Sequence, residues 1–204
     1  MIKKKGNIPL LILACSIGMC LFLISAQPVR TPQPRIKVGA RAPEFRLLDD
    51  SIQPVVLSEQ LKKGPVVLSF YIFDFTEGCH RQMDEYENLE SRYASLGLQV
   101  YGVSVDSPFS HQAWKKYEKI KLTLLSDFNK EASKSYGAYF EKLDEWKGVS
   151  RRALFLIGKD GRIKYAWVSP NSRQLPDLNP LIKVLDQLST PKDPVSRGVK
   201  PRKK

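Results

Sequence analysis

The stretch VVLSFYIFDFTEGCHRQMDEYENLESRYASLG, Val66 to Gly97, decides the reading of this chain. Val66 to Phe73 is a continuous apolar and aromatic run, the pattern of a central strand buried on both faces. Met83, Tyr86, Leu89, Tyr93 and Leu96 then recur every three or four residues among charged ones, which predicts a helix over Cys79–Leu96 with Gly97 as its stop. Thr76 is the expected N-cap. Cys79, the only cysteine beyond the N-terminal apolar segment, therefore sits in the first helical turn, where a sulfur faces free amides. Unpaired backbone N–H groups and the positive end of the helix dipole favour thiolate over thiol there. A strand that leads into such a helix puts the sulfur at the carboxyl end of the sheet, where open α/β sheets hold their chemistry.

Outward from this unit, strands and helices alternate. Pro43–Leu48 and Val55–Leu57 read as short edge strands around the Asp49-Asp50 turn, and Leu98–Val105 as a second apolar strand ending at Asp106. Helices are expected over Ser110–Lys119, Asn129–Tyr136 and Leu181–Leu188, the last with Leu181, Ile182, Leu185 and Leu188 on one face. Ala153–Ile157 and Ile163–Val168 flank Lys159-Asp160-Gly161, a hairpin turn signal. This order predicts an α/β domain with a mixed central sheet flanked by helices.

Several ordered motifs resemble one family. Phe70 to Met83, FYIFDFTEGCHRQM, is similar to the peroxiredoxin active-site segment, whose pattern is Pro-x-x-x-Thr-x-x-Cys; Thr76 and Cys79 match it. The resemblance continues through GVSVDSPFSHQAW (Gly102–Trp114), LLSDFNKEASKSYG (Leu124–Gly137) and GVSRRALFLIGKDG (Gly148–Gly161), about 150 residues in all. It implies a thioredoxin-like fold of the peroxiredoxin variant, a hydroperoxide substrate, no cofactor, and the strand order of the sheet. It also implies a role for Arg152, which precedes the strand residue Phe155 by three as the family's arginine does. Two positions depart from the pattern: Ile72 replaces the proline, and Gln82 stands where an acidic residue is usual three positions after the cysteine. The first bears on the shape and shielding of the loop, and the second on any ion-pair network built on the missing carboxylate.

The chemistry expected of these residues is peroxide reduction. Cys79 supplies the sulfur, while Thr76, the early helix amides and Arg152 supply donors for charge building on the two oxygens. An arginine suits this because its planar fork offers several N–H groups and keeps its charge. His80 adjoins the sulfur in sequence, but a neighbour on a helix points elsewhere, so it reads as a surface residue. His111 is expected on the first turn of a helix, one layer out from the reacting atoms. Arg151 reads as solvated, and Trp114 and Trp146 as packing or homodimer contacts. Two histidines and one domain cysteine make no metal set. The sulfenic acid left on Cys79 needs a thiol to recycle it. No second cysteine lies in the domain, and the position five residues on, where some relatives keep a resolving thiol, is Asp84. A one-cysteine peroxidase served by an external thiol reductant, a thioredoxin-like protein or small thiol, is the reading.

The formal charge of +12 divides unevenly over the 204 residues. Residues 1–37 carry six basic and no acidic residues, residues 189–204 six basic and one acidic, and residues 38–188 hold 21 basic against 20 acidic. The domain is thus nearly neutral, and no nucleic-acid groove is implied. Lys3 to Lys5 precede an uncharged stretch of 19 residues, Ile8 to Ala26, which fits a signal peptide or an N-terminal membrane anchor over 1–26. Either way the domain is expected outside the cytoplasm, in the periplasm or at the cell surface. Leu13-Ala14-Cys15 is similar to a lipoprotein lipobox with a shorter apolar run, and Cys15 and Cys20 otherwise read as small apolar filler. Residues 27–37, with Pro28, Pro32 and Pro34, form an extended linker; 38–188 is the domain, and 189–204 a basic tail expected to be disordered.

Two other functions are compatible with parts of this pattern. A membrane-anchored thiol–disulfide oxidoreductase would share fold and place, and Gly39-Ala40-Arg41-Ala42-Pro43 resembles that group, but it requires Cys-x-x-Cys where Thr76 stands and proline where Arg152 stands. A non-catalytic binding module would account for Ile72 and Gln82.

Overall fold

The computed structural model describes residues 36–190. The expected signal or anchor over 1–26, nearly all of the expected linker and nearly all of the basic tail lie outside these residues. Two short strands, β1 (Arg46–Asp49) and β2 (Pro54–Val56), open the domain and lead into α1 (Leu57–Lys63) and β3 (Val66–Phe70). Helix α2 (Glu77–Arg92) is followed by a 3₁₀ turn (Ala94–Leu96), β4 (Gln99–Ser104), α3 (Pro108–Glu118), β5 (Thr123–Ser126) and α4 (Glu131–Ser135). The hairpin of β6 (Tyr139–Leu143) and β7 (Trp146–Ser150) precedes β8 (Ala153–Ile157), β9 (Ile163–Val168) and α5 (Asn179–Ser189). Seven strands form one sheet in the order β2-β1-β5-β4-β3-β8-β9, while β6 and β7 pair separately.

β3 sits inside this sheet, parallel to β4 and antiparallel to β8, and all five of its residues are buried. Its alternation feeds two cores. Val66, Leu68 and Phe70 join Phe155 and Tyr136 on one face; Val67 and Tyr71 join Met83, Tyr86 and Trp114 on the other, beneath α2 and α3. Each such large buried side chain contributes about 1.5–3 kcal/mol of burial. Ser69, between them, faces α2 and is the one polar residue of the strand. The antiparallel register pairs Phe70 with Ala153, so the chain leaving β3 and the chain entering β8 meet at the same end of the sheet.

The mixed sheet with flanking helices is as expected, with differences in detail. β1 is internal, paired with both β2 and β5, and only β2 of this pair lies at the edge. The first strand begins at Arg46, three residues after Pro43, and Leu57, expected to end a strand, opens α1, a two-turn helix that was not anticipated. β3 stops at Phe70 because Tyr71–Thr76 turn away as the loop before α2. α2 ends at Arg92, and the last expected residues form the 3₁₀ turn capped by Gly97 at φ 65°. That glycine lies against Gly64, where a Cβ would approach the Gly97 carbonyl oxygen to 1.9 Å, so the two chain crossings require both to be small. β5 and the β6–β7 hairpin were not anticipated; the hairpin's YFEKL and WKGVS are half-buried to exposed in their outer part and buried only from Gly148 to Ser150, with no period-2 apolar signal.

Candidate active site

Cys79 occupies the third residue of α2 and has no solvent exposure. Arg152, the residue before β8, is brought beside it because β8 runs antiparallel to β3. Its Nη1 donates to Cys79 Sγ at 3.3 Å and to Gln82 Oε1 at 2.6 Å, and its Nε donates to the Ser172 carbonyl at 3.1 Å. The Arg152 backbone is fixed as well, since its carbonyl accepts from Ser169 N. The guanidinium is buried, 6% exposed, and makes no ion pair among the described residues. Its carbonyl and amide acceptors are neutral, and its remaining contact is the sulfur.

Gln82 explains how the site tolerates the loss of the usual carboxylate. It lies one turn after Cys79, on the same face of α2, and is fully buried. Its Nε2 donates to Ser69 Oγ at 2.7 Å and to the Phe70 carbonyl at 3.3 Å, which turns Oε1 toward Arg152. The network is rewired through a neutral amide. Sequence reading had the signals for this, a glutamine three residues after the cysteine and a serine inside an apolar strand, but did not join them. Gly78 was also passed over; a Cβ there would lie 3.1 Å from an Arg152 nitrogen, so the glycine gives the guanidinium its room.

Thr76 is at the N-cap position, with one correction. Its hydroxyl makes no capping bond to the helix and donates to the Phe73 carbonyl at 3.2 Å. The helix start is closed by main chain, the Thr76 carbonyl accepting from Cys79 N (3.0 Å) and His80 N (2.9 Å). The amide of Cys79 itself is therefore not free for the sulfur, as a wholly open first turn would have left it. Phe75, just before, has φ 56°, a left-handed conformation that costs a non-glycine residue about 1–2 kcal/mol.

His80 points away from the thiol. It links α2 to α3, with Nδ1 2.8 Å from Glu118 and Nε2 3.2 Å from Asp84. Arg151 is partly buried with its guanidinium 4.2 Å over the Phe140 ring, so it is stacked and not simply solvated. Trp114 is buried packing against Tyr71, whereas Trp146 is exposed and lies edge-on to Phe73 at 5.5 Å. His111 is fully buried and pairs with Asp74, in a cluster that also holds Tyr71, Ser110 and Asp106. Burial, then the charge of Asp74, pushes the Asp106 carboxyl above its ordinary value. The same two causes, in the same order, push the Tyr71 phenol well up, so its hydroxyl remains a donor.

Residues 38–166 match the AhpC/TSA family. The chain is 37% identical to the chloroplastic 2-cysteine peroxiredoxin of Chattonella marina var. antiqua over 144 residues, 66% of this chain and 71% of that one. It is 34% identical to the putative peroxiredoxin bcp of Coxiella burnetii, covering 65% and 88% of the two chains. Among solved structures it is similar to the reduced 2-Cys peroxiredoxin of Plasmodium vivax (30% identity, TM-score 0.63, 74% and 95% coverage). The peroxiredoxin-like protein of Aquifex aeolicus gives 25% identity and a TM-score of 0.68, with 76% and 90% coverage.

Replacing Gln82 by methionine keeps the shape and removes the acceptor of a buried charged donor. Gln82→Met is expected to lower stability by about 1.5–3 kcal/mol, or roughly 3–12 °C in Tm. Thermal unfolding followed by circular dichroism checks this; an unchanged Tm means that the amide does not hold the arginine.

Proposed function

The chain belongs to the AhpC/TSA family of peroxiredoxins, and we propose on that premise that Cys79 is the thiol that its peroxide meets. As a member it has the thioredoxin-like peroxiredoxin fold and is a thiol peroxidase, reducing peroxides at the expense of thiols. The observation that carries the assignment of residues is the 3.3 Å contact between Arg152 Nη1 and Cys79 Sγ. In the proposed step the thiolate of Cys79 attacks one oxygen of the hydroperoxide, the O–O bond breaks, and the sulfur becomes a sulfenic acid. The departing oxygen takes a proton and leaves as water or an alcohol. Arg152 stabilises the thiolate before the step and the charge on the oxygens during it. Thr76, three residues before Cys79 at the start of the same helix, offers its hydroxyl oxygen and hydrogen to the peroxide once the Phe73 contact is exchanged.

Recycling is proposed to follow the one-cysteine route. The relatives named above as 2-cysteine proteins imply a second thiol; here residues 38–188 contain Cys79 alone, and Asp84 faces His80. An external thiol must then attack the sulfenic acid, first forming a mixed disulfide and then releasing Cys79 with a second thiol equivalent. The place of action is proposed to be extracytoplasmic, on the support of Lys3 to Lys5 ahead of the apolar stretch, with the first 26 residues removed or retained as an anchor. A homodimer is proposed through the exposed aromatic cluster beside the site, where Phe75 and Tyr117 lie 6.1 Å apart over buried Trp114.

Three measurements address these points. Cys79→Ser is expected to abolish peroxide consumption with the fold retained, and Arg152→Met to slow it on the order of a hundredfold; an Arg152→Met enzyme near the parent rate would point to a different arginine. With Cys15 and Cys20 changed to serine, the chain should consume about one peroxide per molecule without reductant and continue only when a thiol is added. Sustained turnover without thiol would contradict the one-cysteine route. An alkaline phosphatase fusion after Lys37, active only outside the cytoplasm, should be active; a well-expressed inactive fusion places the domain inside.

A further inference from the structure

The best-connected buried group outside the Cys79–Arg152–Gln82 set is the carboxylate of Asp74, five residues before the cysteine. Its side chain is 1% exposed, and that of His111 is 0%. The Tyr71 hydroxyl donates to Oδ1 at 2.7 Å, and the Ser110 hydroxyl donates to Oδ2 at 2.8 Å. His111 Nδ1 lies 2.9 Å from Oδ2 and 3.2 Å from Oδ1. Since the carboxylate is already the acceptor for two hydroxyls, Nδ1 carries the hydrogen in this contact. His111 Nε2 is buried with no partner among the described residues, so the ring's only hydrogen-bonding work is toward Asp74 and the nearby Tyr71 oxygen. On the main-chain side, Asp74 N donates to Asp106 Oδ2 at 3.0 Å, and that carboxylate is itself held by Ser104 Oγ.

Asp74, one residue before Phe75 and two before Thr76, is thus tied to the residue that follows β3, to the loop after β4 and to the first turn of α3. The segment it fixes is the one under strain, because Phe75 adopts the left-handed conformation and Thr76 must then close the start of α2. Packing acts in the same direction: Tyr71 lies 6.3 Å from the His111 ring and 5.4 Å from Trp114, and Phe75 lies 6.4 Å from Trp114.

We propose that Asp74 and His111 are a positioning pair for the peroxidase reaction, His111 Nδ1–H holding the Asp74 carboxylate so that the left-handed turn at Phe75 sets Thr76 and Cys79 in register with Arg152. The proposal rests on Cys79 being the reacting thiol. Neither residue touches peroxide; the pair acts by fixing where the donors stand, and errors of position on the order of an ångström cost up to about a hundredfold in rate.

The test uses the full chain and compares His111→Leu, His111→Asn and Tyr71→Phe with the parent. The rate of Cys79 oxidation by hydrogen peroxide is measured by mass spectrometry after quenching, alongside the rate of alkylation by iodoacetamide. His111→Leu should oxidise on the order of tenfold more slowly or worse. His111→Asn, whose amide N–H can stand where Nδ1–H does, should recover most of that loss. Alkylation, which needs the thiolate but no aligned pair of donors, should change far less than oxidation. Tyr71→Phe deletes one oxygen from the same carboxylate shell and should slow oxidation severalfold, which keeps the question decidable if His111→Leu does not fold. Parent-like oxidation in Tyr71→Phe and in any folded His111→Leu protein overturns the pair. Equal losses in the Leu and Asn variants, or alkylation falling in step with oxidation, overturn it too, since either result assigns His111 to packing or to the thiolate alone. Peroxide consumption retained in Cys79→Ser would instead remove the premise.

Discussion

The site depends on one buried cation. Arg152 is enclosed where a guanidinium is expensive to desolvate, and the protein offsets that cost with a carbonyl from Ser172 and an amide oxygen from Gln82. Neither carries a negative charge. The sulfur of Cys79 is the remaining partner of that guanidinium, and the chemistry proposed for the site follows from how little else compensates the arginine. The arrangement is possible because β3 and β8 lie side by side and antiparallel: residues 73 positions apart in sequence meet where one strand ends and the other begins.

Two supports converge on the segment between β3 and α2. From the α2 side, Ser69 and Gln82 hold the arginine against the sulfur; from the α3 side, Asp74 ties the turn to His111 and Tyr71. The alternation of the strand separates the tasks. Ser69 faces α2 from within the strand, whereas Asp74 lies past its end, where the backbone is free to turn toward α3. The two sets are linked through chain and not through shared hydrogen bonds, so substitutions in one need not reproduce those in the other.

The parts of this design that are local in sequence were legible in it. A strand buried on both faces, a helix with its cysteine in the first turn, and the Lys159–Gly161 hairpin each carry their signal within a few residues. Arg152 was reachable only through its fixed spacing to Phe155, because nothing in periodicity tells a buried arginine from the stacked Arg151 beside it. The bond between Asp74 and His111 had no local signature, since it joins residues 37 apart through sheet and helix packing. The β6–β7 hairpin escaped for a different reason: YFEKL and WKGVS do not alternate apolar with polar residues, and their pairing is made by backbone bonds and a two-residue turn at Asp144-Glu145. Thr76 shows a finer limit. Its cap position was readable, but whether its hydroxyl turns to the helix or to Phe73 depends on the left-handed residue before it.

The hydrogen bonds that seat Gly39, Ala40 and Ala42 run to Gly161 and Ile163, beside the turn that joins β8 to β9. At the other terminus Leu188 borders a hollow with Pro65, Leu96 and Gly158. Both therefore belong to the pole of the molecule from which β3 starts, while Cys79 belongs to the pole toward which it runs, roughly 16 Å away along that strand alone. The two stretches that hold the chain's positive excess are thus joined to the domain on one side, and the thiol is on the other. Whatever engages either stretch therefore meets the domain at the pole opposite its thiol.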